Sequence, residues 1–164
     1  FSANVSNPVE PYAELVRHYR ERWEFYGHRP EDALVVAGPA GFYVTPTSQE
    51  AVDTYRPMFE ARLAAQRRVG MPVVFESIDD FVERSSALIG SPEQVIDKVG
   101  RYHEQLGHEV MHLSADADGV PPGQQRRSFE LFQSEVAPVL RERIPSRPLI
   151  SQVITEEEPQ GVVR

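Results

Sequence analysis

The chain has 164 residues, with 17 Lys+Arg against 25 Asp+Glu and a formal net charge of −8. That length suits one domain with a real core, and 40% hydrophobic with 26% charged residues excludes a disordered or collagen-like chain. The acidic balance argues against nucleic acid as a partner, and no apolar run approaches the ~20 residues of a membrane span. No secretory h-region opens the chain, and the absence of cysteine excludes a disulfide framework, a thiolate metal site and a cysteine nucleophile. A cytoplasmic protein is the expectation. Phe1 stands where Met would open a complete reading frame, so a processed product or a piece of a longer protein is expected.

In chain order, FSANVSNP alternates Phe1, Ala3 and Val5 against polar neighbours and predicts a short strand running into Pro8. A helix follows from about Val9 to Tyr26, with Tyr12, Leu15, Val16, Tyr19, Trp23 and Tyr26 at helical spacings and Gly27 as its stop. Ala33 to Thr45 reads as one buried strand, kinked or bulged at Gly38-Pro39-Ala40-Gly41. Thr47-Ser48-Gln49-Glu50 has capping-box spacing and starts a helix to about Val69, with Pro57 inside it. A short helix is predicted over Ile78 to Arg84. Ser91-Pro92-Glu93-Gln94 starts another, presenting Val95, Ile96, Val99, Tyr102 and Leu106 and ending at Gly107. A strand over Glu109 to Ser114, a loop to Gly123 and a helix over Gln124 to Arg143 complete the series. The tail from Pro145 is expected to be mostly irregular. Strands alternating with helices imply parallel βαβ units.

His108-Glu109-Val110-Met111-His112 matches H-E-x-x-H, which binds zinc only when both imidazoles share one helix face. Here Gly107 ends a helix just before it. On a strand the two histidines stand ~13 Å apart, too far for one metal. Asp116-Ala117-Asp118-Gly119 lacks the remaining ligands of a calcium loop. Gly38-Pro39-Ala40-Gly41 lacks dinucleotide-fingerprint spacing, and neither a phosphate loop nor a G-x-S-x-G elbow occurs. No metal is expected, and these motifs by themselves name no reaction.

The run ALIGSPEQVIDKVGRYHEQLGHEVMHLSA resembles the C-terminal stretch of the bacterial luciferase-like flavin-dependent monooxygenases. The matching residues are Leu88 to Glu93, Gly107 and the strand Val110 to Ser114. SFELFQSEVAPVL (Ser128 to Leu140) resembles that family's last barrel helix, GFYVTPTSQEAVDTYRPMF its seventh strand with the following helix, and FSANVSNPVEPYAELVRHYRERW the end of its sixth strand with its helix. The resemblance implies an α/β fold, the C-terminal portion of a (β/α)8 TIM-type barrel. About three parallel strands with flanking helices, short of a closed barrel, would fall in residues 1–144, with 145–164 as the tail.

The resemblance further implies an oxidoreductase in which reduced flavin (FMN) and O2 oxidise a small organic substrate. Deazaflavin (F420) is the alternative cofactor. The catalytic residues are unknown, because the family's catalytic histidines and much of its flavin phosphate site lie in strands not matched here. Facing the barrel interior or mouth, as cofactor-binding or substrate-facing candidates, are Asn4, Ser6, Gly41, His112 and Ser114. For each of them a structural role weighs at least as much as ligand contact. The isolated chain is expected to be inactive and to bind flavin weakly or not at all. Unclosed strand edges predict a homodimer or larger assembly buried through the sheet side. Set against the enzyme reading are a non-catalytic assembly module or truncated product and, more remotely, an H-E-x-x-H zinc hydrolase.

Overall fold

In a computed structural model, residues 1–4, 9–114 and 119–144 are described. The elements in chain order are β1 (Ser2–Asn4), α1 (Glu10–Phe25), a 3-10 turn (Pro30–Asp32), β2 (Val36–Gly38), β3 (Phe42–Val44), α2 (Ser48–Arg68) and α3 (Ile78–Arg84). They continue with β4 (Leu88–Gly90), α4 (Pro92–Leu106), β5 (Val110–Met111), α5 (Pro122–Leu131), a π-helical turn (Phe132–Val136) and α6 (Ala137–Arg143). Every strand pairing is parallel, in two sheets ordered β1-β2-β5 and β3-β4.

The helix starts follow the sequence. Thr47 Oγ1 accepts from Glu50 N at 3.3 Å, Ser77 Oγ from Asp80 N at 3.1 Å and Ser91 Oγ from Gln94 N at 3.5 Å, each satisfying a first-turn amide. Gly107 closes α4 in the left-handed region at φ 56°, its N–H on His103 O. Arg20 packs against its α-carbon and donates to its carbonyl at 2.7 Å, tying α1 to the end of α4.

The strands depart from expectation in number and length. The single strand expected over Ala33 to Thr45 is two, because Pro39 has no N–H to continue the ladder and Ala40 N turns aside to Ser86 Oγ at 2.9 Å. Leu88–Gly90, read from the sequence only as an apolar pair, is a strand paired with β3. There are thus five short strands among the described residues and not about three. The strand expected over Glu109 to Ser114 contracts to Val110–Met111. The last helix starts at Pro122, two residues early, and widens into a π turn at Phe132–Val136. Pro138 lacks the amide that would bond one turn back, which removes the bond that would keep that turn tight. The stripe of α1 is narrower than its spacing suggests: Val16 is buried with Tyr12 and Tyr19 beside it, whereas Leu15 and Tyr26 are exposed.

The two sheets are covered differently. Every residue of β3 and β4 is buried. Tyr43 and Ile89 face the cluster of α2 and α3 (Tyr55, Phe59, Phe81), and Phe42, Val44 and Leu88 face that of α4 and the C-terminal helices (Val95, Phe132, Val136). In the three-stranded sheet, Ala3 packs with Val9, Val16, Val35 and Leu106 under α1 and α4. Its other face carries the register row Ser2, Val36 and Val110, of which Ser2 is exposed and both valines are half-buried. Among the described residues, that sheet is covered on one side only.

Candidate functional site

Parallel strands bring their carboxyl ends to one edge, where open α/β sheets hold their ligands. At the edge of β1-β2-β5, Asn4 is in register with Gly38, and His112 follows β5 with its N–H on Ala37 O at 2.9 Å. Gly38, between them, has no side chain and is itself buried. His112 and Ser114 are both exposed beyond the end of β5. The structure therefore brings Asn4 and His112 to one edge and leaves Ser114 two residues further out. Gly41 is elsewhere: it leads into β3 with its carbonyl accepting from Leu88 N at 2.8 Å, and a Cβ there would meet Tyr55 Oη at 2.7 Å. Ser6 lies outside the described residues.

The end of the two-stranded sheet is held by hydroxyls. Thr45 N donates to Gly90 O at 3.2 Å, Thr45 Oγ1 donates to Thr47 O at 2.8 Å, and Val44 N donates to Ser128 Oγ of α5 at 2.7 Å. These contacts hold the start of α2 and the second half of α5 against β3.

Within H-E-x-x-H the two histidines part company. His108 is 7% exposed, its Nδ1 has no hydrogen-bond partner, and it shares a small apolar cavity with Met111, Leu106 and Tyr102. Burial, reinforced by His103, pushes its imidazole down to about 4. His112 stands exposed at the other end of β5. Among the described residues no group of three or more His, Asp or Glu could hold a metal ion.

Among the buried polar groups not singled out from the sequence are Lys98, Ser128 and Gln125. Lys98 on α4 donates from Nζ to Val82 O and to Ala87 O, the latter at 2.8 Å, and burial pushes it down to about 8. It was legible, because position 98 falls between Val95, Val99 and Tyr102 on the buried face of α4. Ser128 and Gln125 gave weaker signals, being polar residues on a helix whose apolar face was already assigned. Gln125 is buried with neither amide atom bonded. A cleft of about 720 Å³ runs along α4 beside Leu140, Arg143 and Ile144. None of Asn4, Gly38, His112 or Ser114 lines it, and a groove on the helix side of a parallel sheet is not where such sheets present ligands, so the carboxyl edge is the site of choice.

The family model for luciferase-like monooxygenase matches residues 1–109. Among solved structures, monooxygenase RslO1 from Streptomyces bottropensis superposes with a TM-score of 0.65 at 20% identity, over 84% of this chain and 41% of its own. The oxygenating constituent of 3,6-diketocamphane monooxygenase from the CAM plasmid of Pseudomonas putida, in complex with FMN, gives 0.58 at 20% identity over 84% and 42%. The coenzyme F420 dependent tetrahydromethanopterin reductase from Methanopyrus kandleri gives 0.55 at 18% identity over 84% and 44%. At these identities the likeness shows the fold, an arrangement of parallel strands and outer helices that forms part of a (β/α)8-type barrel. The chain spans about two fifths of the length of these structures. No curated protein sequence matches it. No helix among the described residues is long and apolar enough to cross a membrane.

Proposed function

The chain belongs to the luciferase-like monooxygenase family, and from that premise we propose that it supplies part of a flavin-dependent oxidoreductase site. In that site reduced FMN and O2 oxidise a small organic molecule. The family match over residues 1–109 carries the reading. The carboxyl edge of β1-β2-β5 supports it chemically: a residue without a side chain at the buried Gly38, an exposed imidazole at His112 and a hydroxyl at Ser114, beside the uncharged row Ser2, Val36 and Val110. Such an edge fits one side of a flat, polar heterocycle. His112, Ser114 and the Gly38 backbone would hold it, with Asn4 as their neighbour in register. The flavin, when bound, supplies the redox chemistry, and the protein positions it and excludes water.

Deazaflavin is the second reading, favoured by the likeness to the coenzyme F420 dependent reductase. With two fifths of a relative's length, the chain alone should bind either cofactor weakly and turn over no substrate. Fluorescence titration of FMN and of F420 with the chain and with His112→Ala tests this. The expected result is weak quenching by the chain and weaker still by the variant. Quenching that His112→Ala leaves unchanged, or micromolar binding with turnover, would overturn the assignment.

A further inference from the structure

We propose that Lys98 is a carboxylation site, whose Nζ takes up carbon dioxide from the clefts beside α4 and holds it as a carbamate near Arg101. Lys98 is the only lysine in the sequence, every other Lys or Arg position being arginine. It is 6% exposed, and a lysine is almost never buried so deeply without a carboxylate partner. Here the partners are two neutral carbonyls, Val82 O and Ala87 O, and no ion pair reaches Nζ among the described residues. Two of its three N–H groups are thereby used. Burial first, then Arg101, favour the neutral amine against Glu83, bringing the ammonium down to about 8. The neutral amine is the nucleophilic form. Two clefts meet at this side chain. One, of about 720 Å³, runs along α4 towards α6, and the other, of about 340 Å³, lies between α1, α3 and α4. Lys98, Glu83 and Arg101 line both.

Burial selects the electrophile. Carbon dioxide is three atoms long and uncharged, so it passes from a cleft to a buried amine without desolvating an ion, whereas an aldehyde or acyl phosphate brings bulk or charge. The step balances without a redox partner. The ammonium releases one proton to solvent, the amine lone pair forms the N–C bond, and one C=O π pair moves to oxygen. A second proton then leaves nitrogen, so that R–NH3⁺ and CO2 become R–NH–COO⁻ and two protons. The carbamate keeps one N–H for a backbone carbonyl. Its new negative charge turns the repulsion from Arg101 into attraction, and Arg101 has no ion pair of its own among the described residues. Arg84, the other cation at the smaller cleft, is engaged by Asp80 at 2.8 Å. Glu10 and Glu83 oppose the added anion, and the Tyr102 phenol, pushed up to about 12 by burial, stays neutral. The site lies on the helix side of the sheets, away from the carboxyl edge, and stands without the flavin reading.

The test is carbon-13 NMR of the full chain in buffer equilibrated with labelled bicarbonate at a pH of about 8, where half of the Lys98 amine is free. The expected result is a carbamate resonance that is lost in Lys98→Arg and Lys98→Met, each checked for wild-type circular dichroism. Alkylative trapping and peptide mass spectrometry of the wild type locate the added carboxyl group independently of the variants. They separate Lys98 from the other primary amine of the chain, the Phe1 amino group, which donates to Leu34 O at 2.9 Å. Trapping on Lys98 supports the proposal even if both variants unfold. No carbamate resonance at saturating carbon dioxide overturns it. So does a resonance that survives in a folded variant, or trapping on Phe1 alone.

Discussion

Replacing His108 by phenylalanine should flatten the acid limb of this protein's stability curve. His108 is 7% exposed with Nδ1 unbonded, and burial first, then His103, hold its imidazole at about 4 against an ordinary 6.5, with Glu109 pulling the other way. A histidine depressed in the folded state is neutral there while the unfolded chain takes up a proton at the ordinary value. As pH falls below 6.5 the unfolded state binds more protons, and stability is lost until the folded state also protonates near 4. The gap between 6.5 and about 4 corresponds to about 3 kcal/mol. Phenylalanine fills a similar volume and takes up no proton, so its contribution is constant across the range. Urea unfolding of both proteins between about pH 7.5 and about pH 4.5 would read the difference, with every carboxylate common to both cancelling. The wild type should lose about 2–3 kcal/mol relative to the variant on acidification. Parallel curves would refute the reasoning and return His108 to a hydrated environment.

Lys98 should act at the other end of the scale: held at about 8 against 10.5, it makes stability rise with pH across that window, and Lys98→Met should remove the rise in alkaline urea titrations. Ser128→Ala leaves the buried Val44 N–H without its acceptor and should cost ~1–3 kcal/mol in thermal or urea unfolding. Gly41→Ala drives a Cβ to 2.7 Å from Tyr55 Oη and should cost a similar ~1–3 kcal/mol, largely restored when Tyr55→Phe removes the oxygen.

The helices were legible because their signals are local. Thr47, Ser77 and Ser91 cap from the side chain, and Gly107 ends α4 by a conformation that other residues adopt at a cost. The number and lengths of the strands were not, because they are set by partners. Leu88-Ile89-Gly90 is three residues buried on both faces, too short and too uniformly apolar to show a period. The division of Ala33 to Thr45 depends on Ser86, some forty-six positions away, accepting from Ala40 N. At the site, His112 and Asn4 were placed by counting along strands, and the register sets them at one carboxyl edge. Gly41, placed from the sequence at the barrel interior or mouth, leads into β3, where its missing side chain makes room for Tyr55. The pairing of His103 Nδ1 with His108 O at 2.9 Å, and the burial of His108, arise from the turn after α4, which no spacing rule describes.

The account stands or falls on where a flavin touches the chain, and amide chemical shifts during titration with FMN report that directly even for weak binding. The account predicts shifts confined to Gly38, His112, Ser114 and their strand neighbours at the carboxyl edge of β1-β2-β5. Shifts gathered instead along α4 and α6, at Ile96, Leu140 and Arg143 of the large cleft, or none at any FMN concentration, would contradict it.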